Sequence, residues 1–171
     1  MSALSEVMRE NVYVHAGGEE FGDACAKICQ EHGFAICHDP AFSYFAIAPR
    51  LTRILKREEW TAPELGTLIF HPSILPYRRG RDAIRHTIVA GERVSGVTWF
   101  WCDSGIDTGP ICEQEPVLMK PGERAGQAYR TRFIPAGLRA LERVLIHLRQ
   151  GGVRSLAQDE ALATYDRRLG V

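Results

Sequence analysis

Short apolar segments alternate with amphipathic helical patterns along this chain, and this alternation constrains its fold more than any other feature. Helical spacing of apolar side chains predicts helices over residues 21–32, 82–90 and 127–150, the last interrupted near Pro135. Strands alternating with helices are typical of an α/β fold, so we predict a mostly parallel sheet flanked by helices. Strand patterns occupy residues 11–15, 34–37, 44–48, 67–70, 96–102 and 111–118.

The length of the chain limits how many such units it can contain. Its 171 residues, 45% of them hydrophobic, suffice for one hydrophobic core and are too few for two domains of ordinary size. We therefore treat residues 1–171 as a single catalytic domain.

The charge balance gives no reason to expect nucleic acid or a membrane as a main partner. The chain has 21 basic and 21 acidic residues, and no apolar run approaches the roughly 20 residues that span a bilayer. The first ten residues lack the apolar region of a signal peptide, so we predict a cytoplasmic protein. The five cysteines show no metal-site spacing, and we expect buried free thiols and no metal.

Two loops that follow predicted strands carry residues suited to chemistry. The first begins at His71 and contains Pro72 and Pro76, which restrict its backbone. The second, residues 103–110, contains Asp107 between two glycines. Because ligands of α/β sheets bind beyond the carboxyl ends of strands, we expect the two loops to lie side by side at one edge of the sheet.

The sequence around these loops resembles the folate-dependent formyltransferase superfamily from residue 44 to residue 168. Several matching pieces occur in the family's order, which makes the resemblance far more specific than any single piece. It implies a Rossmann-like formyltransferase fold and 10-formyltetrahydrofolate as the formyl donor. The pieces are His71-Pro72-Ser73-Ile74-Leu75-Pro76, Arg79-Gly80, Gly91-Glu92, Gly96-Val97-Thr98 and Asp107-Thr108-Gly109.

The resemblance assigns catalytic roles to His71 and Asp107. A nucleophile attacks the formyl carbon, and the carbonyl oxygen becomes an oxyanion to which an imidazole can donate a hydrogen bond. A nearby carboxylate can take a proton from the attacking group, directly or through water. From the residues alone, a helix or strand cap remains the alternative role for His71, and a turn-forming aspartate the alternative for Asp107.

The resemblance also implies where the pterin ring of the folate binds. Arg50 has the alternative of a solvated helix face. Arg78, Arg79 and Arg81 would either meet an acidic group, such as the glutamate tail of folate, or lie solvated on the surface. The implied contacts are Pro49, Arg50, Leu51, Ile54 and Leu55 before the strand that leads to His71, and Cys102, Asp103, Gly105 and Ile106 just before Asp107.

The chain departs from the family at position 69, where the transferases carry an asparagine. Side chains two positions apart in a strand share a face, so Ile69 should face the site beside His71 without offering a hydrogen-bond donor. The hydrolase domain of 10-formyltetrahydrofolate dehydrogenase also resembles this chain in having isoleucine there. This favours a branch of the family in which water attacks and formate leaves.

A second departure concerns the amino-terminal part, because His71 comes earlier than the family pattern predicts. One strand–helix unit is expected to be missing or shortened. Residues 17–22, which begin with Gly17 and Gly18, are either a remnant of the family's glycine-rich acceptor turn or an ordinary strand-to-helix turn. A missing unit would expose a sheet edge or an apolar face, which a homodimer would cover.

The expected function is cleavage of the formyl group of 10-formyltetrahydrofolate, with the formyl group passed to water or to a small amine. Two alternatives remain open. One is a true N-formyltransferase of an amine or amino sugar, and the other is a catalytically weak folate-binding module.

Overall fold

The computed structural model describes residues 8–15 and 19–169. The strands found there are β1 (Asn11–Val14), β2 (Ala35–Cys37), β3 (Phe45–Ala48), β4 (Thr67–His71), β5 (Arg79–Gly80), β6 (Val94–Trp101), β7 (Ile111–Leu118) and β8 (Tyr165–Asp166). Six of these strands form one sheet in the order β2-β1-β3-β4-β6-β7, and β5 pairs with β8 in a separate small sheet. Gly17 and Gly18 of the proposed glycine-rich turn lie outside the described residues.

Helices connect and flank these strands, which confirms the predicted α/β fold. A π-helical segment, Tyr129–Phe133, interrupts the predicted carboxy-terminal helix just before Pro135. The helices are α1 (Glu20–Glu31), α2 (Arg57–Trp60), α3 (Ala83–Val89), α4 (Ala125–Ala128) and α5 (Ile134–Arg149), with single 3₁₀ turns at Pro40–Phe42 and Glu160–Leu162.

The direction of β6 corrects one expectation from the sequence. Strands β2, β1, β3 and β4 are parallel, but β6 runs antiparallel to β4, with Leu68 opposite Trp101 and His71 opposite Thr98. The loop after β6 therefore begins at the end of β4 that is far from His71. The loops that begin after His71 and after Trp101 therefore leave opposite edges of the sheet. The expectation was wrong because a strand pattern in the sequence carries no information on strand direction.

The main core lies on the face of the sheet that α1 and α5 cover. Leu68 and Phe70 point into it from β4, and Trp99 lies there fully buried. The indole nitrogen of Trp99 donates a hydrogen bond of 2.8 Å to the carbonyl oxygen of Gly137 in α5. That contact satisfies the polar atom of a large buried side chain and fixes α5 against the sheet.

The opposite face carries Ile69 and His71, because side chains alternate along β4. A small cluster of Leu75, Phe100 and Ile111 packs there against Ile69. The cover on this side comes from the loop after β4 and from α2, whose Trp60 carbonyl accepts a hydrogen bond from the Thr67 hydroxyl. This thinner cover leaves a cleft over Ile69 and His71.

Cys25, Cys29 and Cys112 are buried free thiols, as predicted, whereas Cys37 and Cys102 are free thiols that are only partly buried. No helix within residues 8–15 and 19–169 is long and apolar enough to cross a membrane. In the same residues, no cluster of three histidine, cysteine or acidic side chains is placed to hold a metal ion.

Candidate active site

His71 is the last residue of β4 and is almost completely buried. Its Nε2 lies 2.8 Å from the carbonyl oxygen of Arg78. A carbonyl oxygen can only accept, so Nε2 carries a proton and donates this bond. The other ring nitrogen, Nδ1, lies 3.5 Å from Oδ2 of Asp107. His71 is therefore anchored through Nε2, and its Nδ1 forms a loose pair with the carboxylate.

Asp107 is held in a conformation that aspartate adopts more readily than most residues. Its φ is 55°, in the left-handed region, and its Oδ2 accepts a hydrogen bond of 2.7 Å from the backbone nitrogen of Gly80. The same carboxylate oxygen faces His71. One oxygen of Asp107 thus joins the histidine loop to the aspartate loop.

Asp103 stabilises the conformation of the rest of the aspartate loop. Its Oδ1 accepts hydrogen bonds from the backbone nitrogen of Gly105 at 3.0 Å and from the Thr108 hydroxyl at 2.7 Å. At Gly109, an added Cβ would lie 1.8 Å from the Trp101 carbonyl oxygen, so a side chain is excluded there. These contacts let the loop return from Trp101 and bring Asp107 to His71.

A cleft of about 1980 Å³ contains this pair. Every residue that the sequence predicted for the site lines it. The aromatic side chains of Trp60, Phe100 and Tyr129 also line the cleft, and the sequence did not single them out for it. The predicted residues are Pro49, Arg50, Leu51, Ile54, Leu55, Ile69, His71, Cys102, Asp103, Gly105, Ile106 and Asp107.

Ile69 lies on the floor of the cleft beside His71. It is paired with Phe100 across the strands β4 and β6, and it packs on the small cluster that includes Leu75. Its side chain offers the cleft only methyl and methylene groups. A ligand above Ile69 therefore receives no hydrogen bond from this position.

Two arginines of the cleft wall are engaged in exposed ion pairs. Nη1 of Arg50 lies 2.6 Å from Oε2 of Glu19, and Arg53 pairs with Glu59. Glu59 also accepts a hydrogen bond from the backbone nitrogen of Lys56, and its two contacts lower the pKa of its carboxyl to about 2. These pairs fix the segment between β3 and α2 along the cleft.

Arg79 does not lie solvated on the surface, and it is not placed to contact a ligand in the cleft. Arg79 is fully buried and does not line the cleft. Its guanidinium pairs with Glu160 at 2.6 Å and donates hydrogen bonds to Gln158 and Tyr165. Arg78 pairs with Glu92 and Asp166. These partners of Arg79 lie about 80 positions further along the chain, so no local pattern in the sequence connects them with it.

Cys102 lines the cleft but does not offer a thiolate. Burial raises the pKa of its thiol to about 12, and the nearby carboxylates of Asp103 and Asp107 add to that increase. The thiol stays protonated at neutral pH, so it is a poor nucleophile.

Comparison with known proteins places the chain in a family. The family model described as "Formyl transferase" matches residues 41–145, more than half of the chain. Mitochondrial 10-formyltetrahydrofolate dehydrogenase of Mus musculus is 32% identical over 120 residues, which cover 70% of this chain and 13% of that protein. Methionyl-tRNA formyltransferase of Elusimicrobium minutum (strain Pei191) is 36% identical over 120 residues, covering 70% and 36%. The chain thus spans a small part of the length of these relatives.

Solved structures give the same fold at lower identity. HypX from Aquifex aeolicus, in complex with tetrahydrofolic acid, superposes with a TM-score of 0.81 at 20% identity, over 94% of this chain and 30% of that one. The N-formyltransferase from Helicobacter canadensis, in a complex with folinic acid and dTDP-3-aminofucose, gives 0.72 at 15% identity, over 92% and 70%. The expected Rossmann-like formyltransferase fold is confirmed. By its sequence match and its fold, the chain belongs to the formyl transferase family.

Proposed function

We propose that this protein cleaves the formyl group of 10-formyltetrahydrofolate at the His71–Asp107 pair, with water as the preferred acceptor. The observation that carries the proposal is the trio on the floor of the cleft. His71 and Asp107 lie 3.5 Å apart, and Ile69 lines the cleft beside them where the family's transferases present an asparagine. These three residues provide a proton acceptor, Asp107, and an imidazole, His71, but Ile69 does not supply the amide donor of an asparagine.

The two ring nitrogens of His71 suggest how the imidazole would act. Nε2 is occupied by the Arg78 carbonyl at 2.8 Å. At 3.5 Å, Asp107 lies beyond a hydrogen bond of normal length from Nδ1. Nδ1 is therefore the nitrogen that remains available to the formyl oxygen, and it can donate to the developing oxyanion when it is protonated.

The carboxylate of Asp107 would serve the attacking water. As the water oxygen bonds to the formyl carbon, Asp107 takes a proton from it. The tetrahedral intermediate then collapses, the bond from the carbon to N10 of the folate breaks, and N10 receives a proton. The products are formate and tetrahydrofolate.

The cleft walls suit the flat, apolar parts of a folate. Leu51 and the buried Leu55 line the cleft, and so do Ile54 and Ile106, which are 81% and 58% exposed. Exposed apolar side chains that line a concave site are typical ligand contacts. We propose that Pro49, Arg50 and Cys102–Asp103 complete the folate-binding wall.

Transfer to a negatively charged amine is the second candidate, favoured by a group of arginines. Arg81, Arg130, Arg167 and Arg168 line the cleft, and none of them has an acidic partner among residues 8–15 and 19–169. Unpaired guanidinium groups at the rim of a cleft attract phosphate and carboxylate groups. This candidate requires an acceptor that carries such a group beside its amine.

Product analysis separates these candidates. The purified protein is incubated with 10-formyltetrahydrofolate, either alone or with a panel of neutral and phosphorylated amines, and formate and formylated amine are quantified. Hydrolysis predicts stoichiometric formate without any amine, at a rate that the amines do not raise. A formylated phosphorylated amine, with formate absent, supports the second candidate instead. His38→Asn, at an exposed histidine outside the cleft, is the control for His71→Asn.

A further inference from the structure

The tail that follows α5 reaches the backbone of the aspartate loop through one side chain. Nε2 of Gln158 donates hydrogen bonds to the carbonyl oxygens of Asp107, at 2.9 Å, and of Gly109, at 2.7 Å. Gln158 does not line the cleft, and it lies 51 positions along the chain from Asp107. Its amide group therefore holds the loop from behind, away from any ligand.

Arg79 fixes the orientation of that amide. Its Nε and Nη2 donate to Oε1 of Gln158 at 3.0 and 2.8 Å, which leaves only Nε2 of the amide to face the loop. Arg79 is fully buried, and Glu160 and Tyr165 occupy its remaining donors. A buried guanidinium with all its donors satisfied is a rigid support, because any rotation would leave a charged group without partners.

The same short strand supports Asp107 from its other side. Gly80 directly follows Arg79, and its backbone nitrogen donates to Oδ2 of Asp107 at 2.7 Å. Gly80 has a φ of 95°, and an added Cβ would lie 2.4 Å from the Asp166 carbonyl oxygen, so β5 and β8 pack too closely there for a side chain. The main chain of Asp107 is thus held by Gln158 and its carboxylate by Gly80, and both supports originate at β5.

We propose that Gln158 is a positioning residue for Asp107, so that the tail after α5 is part of the catalytic apparatus. The role follows from the left-handed backbone of Asp107, whose φ of 55° needs support from outside the loop. Gln158 holds this conformation and so keeps the carboxylate beside His71. The role in catalysis rests on the proposed function, whereas the effect on the placement of Asp107 does not.

Gln158→Glu tests the proposal with little change in shape. The introduced carboxylate still accepts from Arg79, so the buried guanidinium keeps its partner, but both amide donors to the loop are lost. We expect kcat to fall about 10- to 100-fold, since small displacements of a catalytic group are costly. The dissociation constant for folate should change less than about threefold, since Gln158 lies outside the cleft. Gln150→Glu, the same substitution at the exposed end of α5, should leave kcat unchanged.

A double-mutant cycle tests whether Gln158 acts through Asp107. In an Asp107→Asn background, Gln158→Glu should lower the residual rate less than about threefold, because the group it positions is already disabled. If the rate reductions of the two single variants multiply fully in the double variant, Gln158 acts independently of Asp107 and the proposal is overturned. Wild-type kcat in the single variant would also overturn it.

Hydrogen exchange of the Gly80 amide gives a readout that does not depend on turnover. That amide reports the position of the Asp107 carboxylate directly, because it donates to Oδ2. We expect Gln158→Glu to speed its exchange about tenfold, while Gln150→Glu leaves it at the wild-type rate. Unchanged exchange in Gln158→Glu would contradict the positioning role, even for a protein that failed to cleave the folate and so disproved the proposed function.

Discussion

Nδ1 of His71 and Oδ2 of Asp107 lie 3.5 Å apart, although His71 ends β4, Asp107 follows β6, and the carboxyl ends of these antiparallel strands lie at opposite edges of the sheet. The aspartate loop closes this gap by crossing the face of the sheet that carries Ile69. The pair therefore lies above the sheet, with Ile69 as part of the floor. The proposed catalysis therefore depends on the conformation of the aspartate loop, since the ends of the strands alone do not bring the two residues together.

Asp107→Asn should separate binding from catalysis. The substitution keeps the size of the side chain and an oxygen for the Gly80 amide, but it removes the proton acceptor. We expect kcat to fall about 10²- to 10⁴-fold, the usual contribution of a general base, with folate affinity within about threefold of wild type. Steady-state kinetics and calorimetric titration measure the two quantities. Asp39→Asn, at the residue that precedes the 3₁₀ turn Pro40–Phe42 and lies outside the cleft, is the control, and an equal loss there would point to a general defect.

Ile69→Asn should change the partition of the formyl group between water and amines. The new amide would offer the formyl oxygen a donor, a contact whose loss costs about 10²- to 10³-fold in enzymes that use it. We expect the ratio of formylated amine to formate to rise about tenfold or more. Ile69→Val, which keeps the apolar floor, should leave the ratio unchanged. The two products are measured together in one reaction, and an unaltered ratio in both variants would show that position 69 does not set the acceptor.

The pH dependence of stability should reveal the Arg53–Glu59 pair. Its hydrogen bonds lower the pKa of the Glu59 carboxyl from 4.5 in the unfolded chain to about 2 in the folded protein. A lowered folded-state pKa stabilises the protein above the unfolded-state value, and that stabilisation is lost as the pH falls toward 2. The difference in Tm between wild type and Glu59→Gln should therefore shrink between pH 4.5 and 2.

Thermal melts across that pH range check this prediction. Because the pair is exposed, the effect should be small. Glu58→Gln, at the exposed neighbouring position, should follow wild type throughout. A difference in Tm that grows as the pH falls would have the wrong sign for the Arg53–Glu59 contact.

Two glycines in helices should respond oppositely to alanine. At Gly137 in α5, an added Cβ would lie 2.6 Å from Cε2 of Phe70, so Gly137→Ala should destabilise the protein by about 1–3 kcal/mol through overpacking. At Gly126 in α4, the nearest atom would be 3.9 Å away, and Gly126→Ala should stabilise it by up to about 1 kcal/mol. Urea unfolding measures both changes. Equal effects would contradict the described packing of α5 on the sheet.

Much of the fold and the composition of the cleft could be predicted from the sequence. Apolar alternation predicted the main strands, and the ordered motif pieces predicted that His71 and Asp107 belong to one site, where their side chains lie 3.5 Å apart. The alternation of side chains along a strand also predicted that Ile69 and His71 share a face, and both line the cleft. Each of these features depends on residues that are close together in the sequence, or on motif pieces that occur in a fixed order along the chain.

Other features depend on contacts between distant residues and were not predicted. The reversal of β6 has no local signal, because a buried strand reads the same in either direction. A solvated position on the surface was one expectation for Arg79, yet the side chain is fully buried and its partners lie about 80 positions away. Strands β5 and β8 have two residues each, too few for a period to be recognised.

The central claim is that the His71–Asp107 pair cleaves 10-formyltetrahydrofolate, and formation of tetrahydrofolate without any amine tests it most directly. The purified protein is mixed with excess donor, and tetrahydrofolate and formate are followed in wild type, His71→Asn and Asp107→Asn. The account predicts equal amounts of the two products from wild type and a loss of at least about 10²-fold in both variants, each of which still binds the folate. Tight binding by all three proteins with no cleavage by wild type, with or without amines, would contradict it and identify the cleft as a folate-binding site alone.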